Sequence, residues 1–323
     1  MDSLGRIIRM VSIVVLCAAS AVPDVGASDS TFAAAFLVTN LDDSGPGSLR
    51  QAILNANATP GGDTISVSAN GQLNLASALP TITDTVTIIA PGFNLFQIFK
   101  VDGQNLYRGF TIASVPVTIT GLTVQHAAAL GTLPGGGIAS DGDLTLNSVK
   151  MLNNTAGSLG GGVSSTGSVV VNGGLYQGNS SGDGGGAIYA GVALVANGST
   201  IRDNQCTTLF FCNGGGLYAG NRLTLTNTQI ISNTAQRFGG GAYALGAAQV
   251  SGGNFEQNLS VNNVGGGLFA NDALAITGTL FISNTAANAG GGGAAVFGSA
   301  DMTNARFENN RSLSGDGGGG LLA

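Results

Sequence analysis

Acidic side chains are the residues of this sequence with the widest range of chemistry, and they are scattered. Asp42 and Asp43 form the only adjacent pair, and Asp141 and Asp143 flank one glycine. The Asp-Gly-Asp segment could supply oxygen ligands to Ca²⁺, but it is also a turn signal, which we favour. Glycoside hydrolysis needs two carboxylates about 5 to 9.5 Å apart, and isolated acids do not predict such a pair. We therefore expect no catalytic residue, no metal site and no cofactor.

His126 is the only histidine, and the repeat described below aligns it with Asn153, Asp203, Ser232 and Gln257. These residue types indicate a polar corner of the chain, so we interpret His126 as a solvated corner residue. The alternative is a catalytic base, which would need a second acid or a nucleophile nearby.

Cys206 and Cys212 bracket the longest insertion in the repeats, QCTTLFFCN. In an exported chain, two cysteines with this spacing predict a disulfide bond. Two buried free thiols, or half of a metal site, are the alternatives. Because the bond would close only a loop, we expect the body of the protein to survive its reduction.

A block with fixed internal spacing recurs seven times towards the C-terminus, at intervals of 25, 25, 29, 25, 26 and 26 residues. In each copy a short apolar strand precedes a large apolar or aromatic residue, and an asparagine follows three residues later. Stacked amides bond to one another along a coil and satisfy the backbone of its turns, so we interpret the asparagines as a structural ladder. The members of this ladder are Asn154, Asn179, Asn204, Asn233, Asn258, Asn284 and Asn310.

Aromatic residues also recur once per copy, just after the glycines. They are Tyr189, Tyr218, Tyr243 and Phe269, with Phe297 nearby. Strand residues alternate between two faces, so the rings point outward and the preceding aliphatic residues inward, or the reverse. Small alanine neighbours favour outward rings, which would form a platform for a glycan or an extended partner segment. Inward rings would instead form an internal stack that stabilises the coil and binds nothing.

The repeat period indicates the fold that must position these residues. Each copy contains short runs of alternating apolar and small polar residues, separated by Gly and Asn, with no amphipathic helical run. All seven prolines lie at or before Pro134, as expected if the later strands pair on both edges. The sequence therefore predicts an all-β, single-stranded parallel β-helix, a solenoid whose turns stack at about 4.8 Å.

The first 27 residues have the pattern of a secretory signal peptide. Arg6 and Arg9 precede an apolar run at residues 11–19, and the small residues Gly26 and Ala27 end a cleavage site. We therefore expect a protein that is secreted or held at the outer cell surface, in the cell envelope or outer membrane. No later segment has the composition of a transmembrane helix. The formal charge of −6 argues against nucleic acid or anionic lipid as a partner.

A short strand at residues 36–40 and a helix at Leu49–Ala58 follow the signal. Ser48 and Gln51 have the spacing of a capping box, in which the glutamine side chain reaches back to the cap. We predict that the helix covers the open end of the first coil. Its apolar face is formed by Leu49, Ala52, Ile53 and Ala56.

The repeats divide the exported chain into three parts. Residues 28–63 contain the first strand and the capping helix, residues 64–134 the irregular early turns, and residues 135–323 the regular repeats of about 25 residues. Because the last residues begin a further copy without finishing it, we expect a truncated C-terminus or a separate partner that covers it.

The segment FLVTNLDDSGPGSLRQAILNANATPGGDTI, residues 36–65, resembles the opening of bacterial surface β-helix proteins. The repeats resemble those of chlamydial polymorphic outer-membrane proteins, in the GGG-aliphatic elements from residues 135–138 to residues 318–321 and in the pairs from Met151 and Asn154 to Phe307 and Asn310. This resemblance covers most of residues 36–323. It implies a right-handed parallel β-helix that is secreted or lies at the outer surface, and it implies little about activity. Those relatives usually continue into a membrane anchor, whereas this sequence stops at Ala323.

The repeats differ in length mainly at one corner, between each ladder asparagine and the next GGG. This corner carries Leu159, Phe210, Phe211, Phe238, Val264 and Leu313. Variable loops along one edge of a rigid solenoid are the usual form of a recognition surface, and tolerated drift in loop length is the alternative.

Taken together, these features predict an exported, non-catalytic, adhesin-like binding module. Its partner would be a glycan or a surface protein of a host or neighbouring cell, and the sequence does not identify it. The alternatives are a polysaccharide lyase or glycoside hydrolase with a pectin-lyase-like fold, and a passive stalk for a missing C-terminal domain.

Overall fold

The computed structural model describes residues 33–92, 98–288, 290–314 and 317–323. The predicted signal peptide, residues 1–27, lies outside the described residues. In the described part the chain winds as a parallel β-solenoid, and each regular turn adds one strand to each of four sheets. The predicted parallel solenoid is confirmed. We number the sheets in the order in which the chain crosses them after the glycines of a turn.

The strands of each sheet follow one another along the chain, and all of them pair in parallel. Sheet 1 contains Phe110–Ile112, Ile138–Ser140, Val163–Ser165, Ile188–Ala190, Leu217–Ala219, Ala242–Ala244, Leu268–Ala270, Ala294–Val296 and Leu321–Leu322. Sheet 2 contains Ala35–Val38, Asp63–Val67, Val86–Ile89, Val117–Thr120, Leu144–Asn147, Val169–Asn172, Leu194–Asn197, Leu223–Thr226, Ala248–Ser251, Leu274–Thr277 and Ala300–Thr303. Sheet 3 contains Gly71–Asn74, Phe99–Asp102, Thr123–Gln125, Lys150–Leu152, Leu175–Gln177, Thr200–Arg202, Gln229–Ile231, Asn254–Glu256, Leu280–Ile282 and Arg306–Glu308. Sheet 4 contains Ala128–Ala129, Thr155–Ala156, Ser180–Ser181, Gln205–Cys206, Thr234–Ala235, Leu259–Ser260, Thr285–Ala286 and Arg311–Ser312.

Equivalent residues of successive turns lie directly above one another. In sheet 2, for example, Val169 pairs with Leu194, and Leu194 pairs with Leu223. Alternate residues of a strand point to opposite faces, so every turn sends the same positions into the core. The inward residues are aliphatic, and each of these three is fully buried.

The largest inward residues form a column on sheet 3, two residues before the repeat's polar corner and three before the ladder asparagine. Its buried members include Met151, Tyr176, Ile201, Ile230, Phe255 and Phe281. We call Phe255, Phe281 and Phe307 the inner stack, because their ring centroids lie 4.8 and 4.7 Å apart inside the coil. This column is the large apolar position that the repeat spacing predicts.

The glycines before sheet 1 form a tight corner with little room for side chains. Gly185 has φ +59°, a left-handed conformation that favours glycine. A Cβ on Gly186 would clash with the carbonyl oxygen of Gly215 in the next turn. The tight corner therefore fixes the position at which the strands of sheet 1 begin.

The helix α1, Leu49–Ala58, packs on the first two strands of sheet 2 with the buried face that its sequence predicts. Ser48 Oγ accepts the Gln51 N–H at 3.2 Å, which is one half of the predicted capping box. The other half is wrong, because the Gln51 side chain donates to Asn55 Oδ1 at 2.8 Å instead. No helix within the described residues has the length and apolarity to cross a lipid bilayer.

The first strand, Ala35–Val38, ends two residues earlier than the predicted strand at residues 36–40. The reason is a turn that already begins at Thr39, whose N–H donates to the carbonyl of Gly47 at 2.9 Å. Asn40 belongs to the same turn, since its Nδ2 donates to the carbonyl of Pro46 at 2.9 Å.

Candidate binding groove beside the aromatic stripe

The aromatic residues after the glycines occupy one column on sheet 1. The register pairs Tyr189 with Tyr218, Tyr218 with Tyr243, and Tyr243 with Phe269. We call these four residues the aromatic stripe. Their strand neighbours, such as Ile188, are fully buried in the core, so the rings lie on the outer face of the coil. The outward arrangement favoured by the sequence is the one found.

Phe297, which the sequence places near these four rings as the fifth ring of the stripe, lies beside the column and not in it. Phe269 pairs with Ala295, so Phe297 stands two residues beyond the column position. Its ring meets Phe269 edge to face at 5.0 Å and remains 65% exposed. The strand in this turn contributes an alanine, and Phe297 reaches the stripe only from the end of the strand.

The rings of the stripe stack along the coil at nearly the spacing of its turns. The centroid distances are 4.9 Å for Tyr189 and Tyr218, 4.9 Å for Tyr218 and Tyr243, and 5.4 Å for Tyr243 and Phe269. The two ends of the stack differ in what covers them.

At one end, residues of the variable corner lie over the rings. The Phe238 ring is 4.7 Å from that of Phe269 and 6.3 Å from that of Tyr243. Val264 joins the same cluster, and Tyr243 and Phe269 are only 7% and 1% exposed. The predicted platform is therefore absent at this end, because the corner loops fold over it. We call Tyr243 and Phe269 the covered end.

At the other end, the same corner position lacks a bulky apolar side chain. The backbone carbonyls of Gly184 and Asn213 accept from the first glycine of the preceding turn, as the carbonyl of Phe238 does. Gly184 lies against the ring of Tyr218, where a Cβ would be 3.3 Å from Cδ2. Glycine and asparagine thus stand where phenylalanine covers the other end. Tyr189 and Tyr218 stay partly exposed, and we call them the open end.

A groove of about 290 Å³ runs over the open end and crosses three turns. Its apolar wall consists of the two tyrosine rings, Leu159 and Phe211. Its polar groups belong to Ser158, Asp183 and Asn213. This combination of apolar surface and a few polar groups is typical of a small-molecule site, and the volume lies near the lower end of the range for such sites.

The polar groups of the groove are only lightly engaged by the protein. Asp183 Oδ1 accepts from the Thr208 hydroxyl at 3.2 Å, and Asn213 Oδ1 accepts from the Phe238 N–H at 3.4 Å. Among the described residues, no hydrogen bond involves the hydroxyls of Tyr189 and Tyr218 or the Nδ2 of Asn213. These groups can therefore bond to a ligand without breaking an internal contact.

Burial raises the pKa of the Tyr218 phenol to about 12, and the neighbouring phenols of Tyr243 and Tyr189 add to the shift. Burial also raises the pKa of Tyr243, although Arg237 opposes the change. The Tyr218 hydroxyl is therefore neutral near pH 7 and can both donate and accept a hydrogen bond.

The predicted disulfide bond between Cys206 and Cys212 is confirmed. Because the two sulfurs are bonded to each other, the alternatives of free thiols and of half a metal site are wrong. Residues 207–211 between them carry three exposed apolar side chains, Leu209, Phe210 and Phe211. Because Phe211 lines the groove, the bond fixes both ends of the loop that carries it.

The variable corner predicted as a recognition surface thus has two structural roles. Leu159 and Phe211 line the groove, while Phe238 and Val264 cover the stripe. Phe210 and Leu313 are exposed at 73% and 61% and belong to neither group.

The ladder asparagines stack as their spacing predicts. Asn154 Nδ2 donates to Asn179 Oδ1 at 2.9 Å, and Asn179 Nδ2 donates to Asn204 Oδ1 at 2.9 Å. Each such oxygen also accepts a backbone N–H, as Asn179 Oδ1 does from Asn154 at 3.1 Å. The same contacts continue through Asn233, Asn258, Asn284 and Asn310. These amides are occupied with one another, so they serve the fold.

A second ladder escaped the sequence reasoning. Asn197 Nδ2 donates to Asn172 Oδ1 at 2.9 Å, and Asn172 Nδ2 donates to Asn147 Oδ1 at 2.9 Å on the exposed side of sheet 2. The signal was present in the sequence, since these asparagines recur at intervals of 25 residues.

His126 lies at the predicted corner, with φ +47°, in the column of left-handed residues that includes Asn153 and Asp203. The sequence reasoning missed its partner, because His126 Nδ1 lies 3.0 Å from Oδ2 of the buried Asp102. Burial opposes ionisation of Asp102, but hydrogen bonds from Gln125 and His126 outweigh it and lower its pKa. His126 is thus a corner residue with 43% of its side chain exposed, as interpreted, and its Nδ1 is held by a buried carboxylate as well. Asp102 comes from an irregular early turn, where the repeat gives no alignment.

Amides form the immediate surroundings of this pair. Gln104 and Gln125 both donate to the Asp102 carboxylate at 2.8 Å, and Gln125 also donates to Gln72. The carboxylate orients the imidazole, whose Nε2 could move a proton. The surrounding amides supply neither a nucleophile nor a second acid.

The other acids singled out in the sequence lie in two places, the N-terminal turn and one shallow cavity. Asp43 forms an ion pair with Arg50 at 2.8 Å, which secures the N-terminal turn. Asp141 and Asp143 are exposed and line that cavity together, and Asp143 Oδ1 accepts the N–H of Ser168 at 2.7 Å. In the part of the chain that the structure describes, no three His, Cys, Asp or Glu side chains group as metal ligands.

Comparison of the chain with protein-family models and with curated proteins finds no match. Its function must therefore be inferred from its own geometry, in which the groove at the open end is the strongest candidate site.

Proposed function

We propose that this protein is an exported, non-catalytic binding module, adhesin-like in character, that holds its partner in the groove at the open end of the aromatic stripe. The observation that carries this proposal is the exposure of Tyr189 and Tyr218 beside polar groups, on a coil that buries the equivalent rings one and two turns later. Aromatic rings held by a rigid scaffold lose little entropy on binding, which makes them effective contact surface.

The loop beside the groove supports the same interpretation. Leu209, Phe210 and Phe211 expose 63%, 73% and 70% of their surface next to one another. Adjacent exposed apolar side chains are typical of an interaction site. Arg237 Nη1 donates to the carbonyl of Phe210 at 2.7 Å, so the loop is braced by the following turn as well as by the disulfide bond.

Export is the second part of the proposal, and it rests on the disulfide bond together with the signal-like pattern of residues 1–27. Expression of the full chain in a Gram-negative host tests it. We expect mature protein outside the cytoplasm, with a mass that corresponds to cleavage after Ala27 and with no free thiol at Cys206 or Cys212. Uncleaved, reduced protein in the cytoplasm would contradict export.

The binding function is tested with fluorescently labelled protein on intact bacterial and cultured epithelial cells. We expect binding to at least one cell type, and Tyr189→Ala should weaken it by about tenfold or more. Phe297→Ala is the matched control, because it removes an exposed ring outside the groove and should leave binding unchanged. Equal binding by wild type and Tyr189→Ala, or the absence of binding to every cell type, would contradict the proposal.

A further inference from the structure

The open end of the stripe has a feature that indicates which kind of ligand fits it. Tyr189 pairs with Tyr218 on one side and with Ser164 on the other. One face of the Tyr189 ring therefore stacks on Tyr218. On the opposite side, the equivalent position of the preceding turn is a serine. The groove extends towards that turn, because Ser158 and Leu159 belong to it. A flat ring placed beside Tyr189 would continue a stack whose spacing is 4.9 Å.

The groove surrounds this position with both apolar and hydrogen-bonding surface. Leu159 and Phe211 provide apolar walls, while Asp183, Asn213 and the tyrosine hydroxyls provide acceptors and donors at the edge. A pyranose has the matching character, since its C–H face is apolar and its hydroxyls radiate from the rim. A hydrocarbon side chain of a protein partner would cover the rings but would desolvate Asp183 and Asn213 without giving them hydrogen bonds.

The charge of the groove argues against acidic sugars. Asp183 is the only charged residue that lines the groove, and the chain carries a formal charge of −6. Arg237, in the following turn, is engaged with the carbonyl of Phe210 and lies 5.0 Å from the Phe238 ring. A uronate or a sulfated sugar would meet the Asp183 carboxylate without a compensating cation in the groove.

We propose that the groove binds a neutral carbohydrate, with one pyranose ring against Tyr189 and its hydroxyls bonded to Asp183 and Asn213. This inference rests on the proposed binding function and specifies the ligand class for the same site. The groove volume of about 290 Å³ suits one sugar ring with parts of its neighbours.

Affinity electrophoresis of the full chain through gels containing defined polysaccharides tests the inference. The neutral probes are galactomannan, xyloglucan, dextran and arabinoxylan, and the acidic probes are polygalacturonate and alginate. Because the chain has no tryptophan and five tyrosines, tyrosine fluorescence gives a second readout of ligand stacking. We expect retardation by at least one neutral polymer, a change in tyrosine emission with that polymer, and no retardation by the acidic ones.

Two variants localise the binding to the groove in different ways. Tyr189→Ala removes the stacking ring, whereas Gly184→Leu keeps both rings and fills the groove with the residue type found at Leu159 in the preceding turn. Each should weaken retardation by about tenfold or more, and Phe297→Ala should leave it unchanged. A thermal melt of each variant establishes that it is folded, and Gly184→Leu serves as the test if Tyr189→Ala does not fold.

Asp183→Asn tests whether the carboxylate accepts hydrogen bonds from the sugar. It should weaken retardation by neutral polymers, because a carboxylate accepts stronger hydrogen bonds than an amide. Retardation by acidic polymers alone, neutral binding that survives both groove variants, or no retardation by any polymer would overturn the inference. If no polymer binds while cell binding still depends on Tyr189, the ligand class is wrong and the binding function stands. Loss of both kinds of binding removes the two proposals together.

Discussion

The two ends of the aromatic stripe consist of similar residues on equivalent strands, yet one is sealed and the other is accessible. Tyr243 and Phe269 lie under Phe238 and Val264, whereas Tyr189 and Tyr218 lie beside Gly184 and Asn213. The strand register is the same at both ends, and a buried aliphatic residue precedes each ring. The difference comes from the side chain at one position of the variable corner, immediately before the glycines.

This comparison shows how a solenoid can carry a site without altering its repeat. The strands place a ring on the outer face in each of four turns, and the corner loop determines whether that ring adds to stability or remains available for binding. Covering a ring stabilises the fold through burial, while leaving it open gives up that stabilisation. Packing therefore accounts for the aromatic residues at the covered end, but it does not account for those at the open end.

The largest expected difference is in the free energy of unfolding after ring deletion. Phe269→Ala should destabilise the protein by about 3–5 kcal/mol, because its ring is fully buried. Tyr189→Ala should cost about 1 kcal/mol, mainly through the lost stacking with Tyr218. Tyr218→Ala should fall between the two. Urea unfolding of the three variants measures the order, and equal losses for Phe269→Ala and Tyr189→Ala would break the comparison.

The asparagine ladder should not distinguish the two ends, since it runs beneath both. Asn204 belongs to the turn of Tyr189, and Asn258 belongs to the turn of Tyr243; each is 1% exposed and bonded in the same way. Replacement of either by alanine should cost about 1–3 kcal/mol, because the neighbouring amides and a backbone N–H lose a partner. The same unfolding experiment compares them. A clearly smaller loss at Asn204 would show that the coil itself is looser at the open end.

Reduction of the disulfide bond should affect the open end only. Closure of so short a loop stabilises the protein by about 2 kcal/mol, and Phe211 should lose its fixed position beside the groove. We expect the circular dichroism of the coil to persist in reductant while binding to cells weakens. The serine double variant at Cys206 and Cys212 is the matched control. Collapse of the whole β signal would contradict the assignment of the bond to a surface loop.

The smallest expected difference between the two ends is in the ionisation of their tyrosine phenols. The pKa of Tyr218 is raised to about 12, so its phenol stays protonated in the folded state where an unfolded tyrosine with a pKa near 10 is ionised. The stability linked to Tyr218 is therefore complete below pH 10 and declines as the pH rises towards 12. Phe238→Ala should uncover Tyr243 and lower its raised pKa towards the ordinary value. Phenolate absorbance across the alkaline range measures both effects, and an unchanged titration in Phe238→Ala would contradict the covering role of Phe238.

The sequence was sufficient to predict the solenoid, because its repeat fixes the same residue types at the same corners. The ladder asparagines, the buried face of α1 and the Cys206–Cys212 bond all follow from local spacing. The outward direction of the rings was also correct, since the aliphatic residue before each ring belongs to the core.

Contacts between elements without a common repeat position could not be predicted. Phe238 reaches Phe269 across a loop of variable length, and Asp102 reaches His126 from an irregular turn. The role of Gly184 could not be predicted for a related reason. Its lack of a side chain matters only because the ring of Tyr218 lies next to it, and the sequence does not show that contact. The groove thus depends on a residue that the sequence presents only as another glycine.

Gly184 leaves the open end of the stripe accessible, and we expect the partner to bind there. Comparing wild type and Gly184→Leu for binding to intact cells, together with their melting temperatures, tests this claim most directly. We predict that the variant is folded, because leucine occupies the paired position at Leu159. Its melting temperature should stay close to that of wild type, since the apolar surface added over Tyr218 offsets the approach of its Cβ to within 3.1 Å of the Asn213 carbonyl oxygen. Its binding should fall by about tenfold or more. Wild-type binding by folded Gly184→Leu would show that the partner attaches elsewhere on the coil.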